Sequence, residues 1–168
     1  GVGTVLADNP SLTARKDGKI QDRQPLKVLL DSSLRVNPEN RFFDEGKVLV
    51  VCAKADAEKT QALQKRGAEV IELKGADGRV DLQALLTELA GREVNEVHLE
   101  AGSVLTGEFV RQGLVDELLC YIAPKILGEG RSAFHLKAPE SLSEVKDWAI
   151  VESSQLGNDI RMILRKRK

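Results

Sequence analysis

The run Val48-Leu-Val-Val-Cys-Ala53, entered at Lys47, constrains the fold more than any other stretch. It is apolar at every position over the length of a strand, so neither face is free to meet water. A strand of this kind belongs in the middle of a parallel sheet that is covered on both sides. The residues after it fit that placement. Asp56 can cap a helix over Ala57 to Arg66, with Leu63 as its clearest core contact and Gly67 as its stop. Glu69-Val-Ile-Glu-Leu73 is the next strand, and Asp81 caps a second helix. That helix has Leu82, Leu85, Leu86 and Leu89 at helical spacing and Gly91 at its end. Upstream, Leu26 to Leu30 reads as a strand ending at Asp31-Ser-Ser33. Leu34 to Glu45 is mostly irregular, with a turn around Arg41-Phe-Phe43.

A third strand, turn and helix are expected over Asn95 to Gly113. Val97 and Leu99 alternate with Glu96 and His98, the chain turns at Ala101-Gly102-Ser103, and Val104, Leu105, Phe109 and Val110 can share a helical face. Three strand–helix units in succession call for a mainly parallel sheet with helices on its faces. The rhythm then changes. Glu117 to Pro124 is a long strand, Lys125 to Ser143 is loop-like, and Trp148 to Leu156 and Asp159 to Arg167 form a hairpin through Gly157-Asn158. At the other end, Thr4 to Pro10 can form a helical turn that Pro10 closes. Ser11 to Arg15 reads as a short extended segment and Lys16 to Gln24 as a polar loop.

Length and composition bound the function. A chain of 168 residues, 42% hydrophobic and 30% charged, fits one domain with a real core. A net charge of -1 gives no reason to expect nucleic acid or a membrane surface as partner, and the basic tail Arg165 to Lys168 reads as a solvated end. There is no apolar run near the roughly 20 residues of a membrane span, and no signal-peptide pattern. Cys52 and Cys120 lie far apart in apolar runs, which reads as buried thiols in a reducing, cytoplasmic compartment. His98 and His135 have no partners at ligand spacing, so no metal site is expected. The opening Gly1-Val-Gly-Thr4 begins mid-pattern, like a piece of a longer chain.

Chemistry is less legible. A glycine turn into a helix leaves backbone N–H groups that suit a phosphate, and Gly102 lets a ligand approach the backbone. Glu100 would then sit at a strand's carboxyl end, where open α/β sheets place their ligands. An ordinary strand–turn–helix unit capped by Ser103 accounts for the local pattern equally well. No G-x-S-x-G elbow or phosphate loop is present, and G-x-G occurs only at Gly1-Val-Gly3. The Phe42, Phe43 and Trp148 rings are read as core.

Several segments, in order, resemble a known family. They are Gly3-Thr-Val-Leu-Ala-Asp-Asn-Pro-Ser-Leu12 with Arg15, Val28-Leu-Leu-Asp-Ser32, Leu99-Glu-Ala-Gly102, and Val115-Asp-Glu-Leu118 with Tyr121-Ile-Ala-Pro-Lys-Ile-Leu-Gly128. Together they are similar to the bacterial riboflavin-biosynthesis reductase domain over nearly the whole chain. The resemblance implies an α/β, dihydrofolate-reductase-like fold: a mainly parallel central sheet with helices on both faces and an antiparallel C-terminal hairpin. It also implies NADPH-dependent reduction of 5-amino-6-(5-phosphoribosylamino)uracil to its ribitylamino counterpart, with the cofactor carrying the redox chemistry. Homodimers are common in that family, as is fusion to a zinc deaminase domain.

The roles it implies are these. Thr4 and Asp8 lie beside the cofactor, with Asp8 also orienting substrate or relaying a proton; Asp8 read alone is a cap or turn residue. Leu12 and Arg15 line the substrate, Arg15 on its phosphate. Ser32 meets the adenosine side, and Glu100 accepts from the pyrimidine N–H groups. Gly102, Ser103, Val104, Leu105, Thr106, Gly107 and Glu108 wrap the diphosphate. Arg35 and Lys54 are candidates for the 2′-phosphate, although surface charge is the plainer account of both. The family's domain starts earlier, with a strand and a helix that also bind substrate, so residues 1–168 are expected to hold the cofactor half of the site more fully than the substrate half. Two other readings compete: a non-catalytic NADP-binding or assembly fragment, and a same-fold reductase of a related pyrimidine or pterin.

Overall fold

A computed structural model describes residues 1–145 and 147–167. Lys146, and Lys168 at the end of the basic tail, lie outside the described residues. The chain forms two compact units, residues 1–102 and 103–168.

The first unit opens with helix α1 (Val2–Asp8), which buries Val2 and Val5. Asn9 ends it in the left-handed conformation (φ 43°), one residue before Pro10. Strands β1 (Arg15–Lys16) and β2 (Lys19–Ile20) then form a small antiparallel hairpin. Only a loop was expected at Lys16 to Gln24. The missed signal is Asp17-Gly18, which takes positive φ at both positions (50° and 76°), as a tight hairpin turn requires. Ser11 to Arg15 is not uniformly extended either, because Leu12 has φ 45°.

Strands β3 (Lys27–Leu30), β4 (Val48–Cys52) and β5 (Ala68–Glu72) make a parallel sheet in the order β3-β4-β5. The apolar run is the middle strand, and all five of its residues are buried. Val48, Val50 and Cys52 join one core cluster with Val2, Val5, Leu29, Leu63 and the ring pair Phe42 and Phe43. Leu49 and Val51 alternate to the other face and are also fully buried, which is why the run carries no polar residue. Helices α2 (Ala57–Lys65) and α3 (Leu82–Gly91) start where expected, with Asp56 and Asp81 accepting from the Lys59 and Ala84 N–H groups. Leu82, Leu85 and Leu89 of α3 are buried, while Leu86 is half-buried.

The strand expected over Glu96 to Leu99 is not formed. A strand exists through pairing with a neighbouring backbone, and among the described residues positions 95–100 enter no ladder. Alternation marked a segment able to pair without supplying the partner.

The second unit begins with α4 (Ser103–Arg111), which buries Gly107 and Phe109. Val104 was expected on the same apolar face but is 56% exposed. The helix starts at Ser103 itself, so this residue stands in the first turn rather than before it. Strands β6 (Glu117–Ile122), β7 (Trp148–Leu156) and β8 (Asp159–Lys166) form an antiparallel sheet in the order β6-β8-β7. The expected hairpin turns at Gly157-Asn158, with Leu156 opposite Asp159. Cys120 is half-buried and not fully buried like Cys52, and both thiols are free. Trp148 is likewise half-buried, unlike Phe42 and Phe43.

Candidate functional site

In the first unit, two of the expected cofactor residues come together. Gly102 is exposed, and a Cβ built on it would meet only the Thr4 hydroxyl, 3.9 Å away. The space that a Cβ would fill at Gly102 is therefore uncrowded, with a hydroxyl donor beside it, and this pairing fits a phosphate-bearing cofactor. Thr4 reaches this place because α1 is anchored through Val2 and Val5 and tied to the Arg41–Phe43 turn. Asn40 Nδ2 donates to the Val5 carbonyl (3.4 Å), and the Arg41 N–H donates to Asn9 Oδ1 (2.9 Å).

Asn9 performs the helix-ending role that Asp8 would have as a plain cap residue. The Asp8 side chain is exposed and has no hydrogen-bond or ion-pair partner among the described residues. Ser32 follows β3, half-buried, and its carbonyl accepts from the Ala53 and Lys54 N–H groups (3.1 and 3.2 Å), tying together the carboxyl ends of β3 and β4. Just before it, Asp31 is wholly buried. Its Oδ2 accepts from the Val36 N–H (2.8 Å), while Oδ1 has no hydrogen-bond partner among the described residues and lies 3.9 Å from Arg35 Nε. Arg35 is thus drawn to Asp31, and Lys54 is exposed.

Leu12 is 37% exposed and Arg15 lies in β1, where its guanidinium donates to Thr13 Oγ1 (3.1 Å) and the Gly18 carbonyl (3.5 Å). Two side chains that sequence reasoning passed over hold this segment. Gln24 Oε1 accepts from the Ala14 N–H (2.8 Å) and its Nε2 donates to the Ala14 carbonyl (3.1 Å). Lys27 Nζ donates to the Ser11 carbonyl (3.2 Å) and to the Phe42 carbonyl, 5.1 Å from the centre of the Phe42 ring. Burial pushes the Lys27 ammonium below its usual range, and the charges of Asp44 and Glu45 oppose that shift. A lone charged residue inside the strand pattern Leu26 to Leu30 was the signal that could have found it. Glu100 is exposed, with His98 Nε2 3.6 Å from its carboxylate.

In the second unit, the first turn of α4 carries Ser103, exposed Val104, and half-buried Leu105 and Thr106. Gly107 faces chain rather than open space, because the His135 backbone lies against it. The Glu108 carboxylate is engaged by Arg111 Nε (2.8 Å) at the end of its own helix and by Gln112 Nε2 (2.6 Å) just past it. Among the described residues no group of three His, Cys, Asp or Glu could hold a metal ion, and no helix is long and apolar enough to cross a membrane.

Comparison with known proteins adds the family. The RibD C-terminal domain model matches residues 1–162. The 5-amino-6-(5-phosphoribosylamino)uracil reductase of Buchnera aphidicola subsp. Acyrthosiphon pisum is 32% identical, over 98% of this chain and 84% of that protein. The 2,5-diamino-6-ribosylamino-4(3H)-pyrimidinone 5′-phosphate reductase of Methanothermobacter thermautotrophicus is 36% identical, over 95% of this chain and 74% of that protein. The solved structure of Acinetobacter baumannii RibD, form 1, superposes with a TM-score of 0.84 at 28% identity, covering 100% of this chain and 46% of that one. The chain spans less than half the length of several RibD proteins that it matches. The fold is the expected α/β, dihydrofolate-reductase-like class, with its parallel sheet and antiparallel hairpin. With the match running almost from end to end, the chain belongs to the RibD C-terminal domain family.

Proposed function

We propose that this domain reduces 5-amino-6-(5-phosphoribosylamino)uracil with NADPH, opening the ribosyl group to a ribityl chain. The observation that carries the reading is the approach of Thr4 to the exposed Gly102 backbone, within a family whose relatives include named reductases. NADPH, when bound, supplies a hydride for C1 of the sugar. The chain's own residues do the holding. Thr4, Gly102 and Ser103 to Glu108 take the cofactor, Ser32 takes its adenosine side, and Arg15 takes the substrate phosphate. Leu12 covers the substrate, Glu100 accepts from the pyrimidine N–H groups, and Asp8, whose exposed carboxylate has no partner among the described residues, orients substrate or relays a proton. Placing two reactants in line is worth far more than any single contact.

The proposal extends to the setting of the domain: a homodimer, in the cytoplasm, fused to a zinc deaminase domain. The greater length of the RibD relatives leaves room for that fusion. The test is NADPH oxidation by the intact protein when the phosphoribosylaminouracil is added. Tight NADP binding without oxidation would instead indicate a binding or assembly module. The Methanothermobacter relative's name favours one second reading, a reductase of the diamino pyrimidinone. Rates on the two pyrimidines, side by side, distinguish them.

A further inference from the structure

We propose that Gln24 and Lys27 are positioning residues that fix the Ser11–Arg15 segment, and through it Leu12 and Arg15, in the shape that binds substrate. This rests on the reading of Leu12 and Arg15 as substrate residues. The segment cannot hold this shape by its own backbone. Leu12 sits at φ 45°, a region that a branched, non-glycine residue occupies only when its surroundings impose it. Among the described residues Ser11 to Thr13 enter no sheet ladder, and the hairpin's backbone pairing reaches back only to Ala14.

The two side chains act at the two ends of the strained residue's neighbourhood. At Ala14, Gln24 uses both halves of its amide, accepting from the N–H and donating to the C=O. The Ala14 carbonyl also accepts from the Gln21 backbone N–H (3.0 Å), so the β1–β2 hairpin reaches back to this carbonyl, and Gln24 adds to it an acceptor for the Ala14 N–H and a second donor for the C=O. At Ser11, the Lys27 ammonium joins this segment's carbonyl to that of Phe42 in the turn that also anchors α1. Lys27 is only 3% exposed at the first position of a strand whose other residues are apolar. Taking an ammonium out of water there is costly, and an aliphatic residue would serve the core alone better. What the ammonium adds is the tie between two loops. Arg15 follows Ala14 directly, and its guanidinium is braced on Thr13 and Gly18, so its direction depends on where Ala14 is held.

The experiment uses the intact protein with Gln24→Leu, Lys27→Met and Lys27→Arg. Gln24→Leu and Lys27→Met are expected to raise the substrate KM about tenfold with kcat little changed, as loss of uniform binding does. The NADPH dissociation constant should stay within about twofold, and Lys27→Arg, which keeps the donors, should recover most of the KM. Amide exchange at Ala14 should quicken in Gln24→Leu while exchange in β4 does not. If Lys27→Met fails to fold, half-buried Gln24 still decides. An unchanged KM in folded Gln24→Leu, a matching loss of NADPH affinity, or unchanged exchange at Ala14 would overturn the proposal. Failure of the wild type to oxidise NADPH would sink the reductase reading instead, and the exchange measurement would still judge the clamp.

Discussion

Gly107 and His135 touch through their backbones. A Cβ at Gly107 would lie 2.5 Å from the His135 carbonyl oxygen and 3.0 Å from its nitrogen and carbonyl carbon, while the His135 N–H donates to the Ser103 carbonyl (2.9 Å). The segment between β6 and β7 is seated on α4 at the one position where the helix has no side chain. Helix propensity alone predicts that Gly107→Ala stabilises by about 1 kcal/mol. The backbone contact cannot yield as a flexible side chain would, so a net loss of about 1–3 kcal/mol is expected. Urea denaturation, with amide exchange at His135, is the measurement. A stabilised variant with unchanged protection at His135 would count against the contact.

Asp31 and Val36 close the turn after β3. Asp31 Oδ2 is the acceptor for a buried N–H, and Leu34 within the turn has φ 51°. Asp31→Ala strands the Val36 N–H and is expected to cost about 1–3 kcal/mol. The denaturation midpoint should fall accordingly, and a change below about 0.5 kcal/mol, the range of neutral surface substitutions, would refute the role.

Arg92 holds Glu69 through two parallel hydrogen bonds (2.7 and 2.6 Å) and also reaches Glu88 (2.7 Å). The Arg92 hydrogen bond sets the Glu69 carboxyl below its usual range. A depressed carboxyl pKa contributes stability above the unfolded value, near 4.3, and that contribution is lost as pH falls through the lower folded value. Glu69 is more than half exposed, so solvent screening keeps the pair within about 1 kcal/mol. Glu69→Gln should therefore be slightly less stable than wild type at pH 7, with the gap closing toward pH 3. A gap that persists or widens in acid would contradict the pairing.

For the proposed activity, Arg15→Ala should raise KM for the phosphorylated substrate about 10- to 100-fold, the worth of charge-assisted hydrogen bonds. It should leave the dephosphorylated compound's KM and the NADPH affinity nearly unchanged. Steady-state kinetics on both compounds decide this. Equal losses on both would place Arg15 away from the phosphate.

Glu100→Gln keeps the size of the side chain but replaces one acceptor oxygen with a donor. If Glu100 receives the pyrimidine N–H groups, kcat/KM should fall about 10- to 100-fold, with the NADPH dissociation constant unchanged. A Glu100→Gln enzyme with wild-type kcat/KM would remove Glu100 from the substrate.

Local pattern was sufficient wherever structure follows from a short window. The apolar run at Val48 to Cys52, the caps Asp56 and Asp81, the helical leucines of α3 and the Gly157-Asn158 turn all carry their physics in adjacent residues. The alternation at Glu96 to Leu99 was not sufficient, because a strand is completed by a partner's backbone elsewhere in the chain. The same limit hid the support of the candidate site. Gln24 reaches Ala14 across ten residues, Lys27 reaches Ser11 across sixteen, and the meeting of Thr4 with Gly102 spans most of the first unit. Residue types and motif order could name which side chains bear chemistry. Only packing, which joins groups that no local window contains, decided what holds them in place.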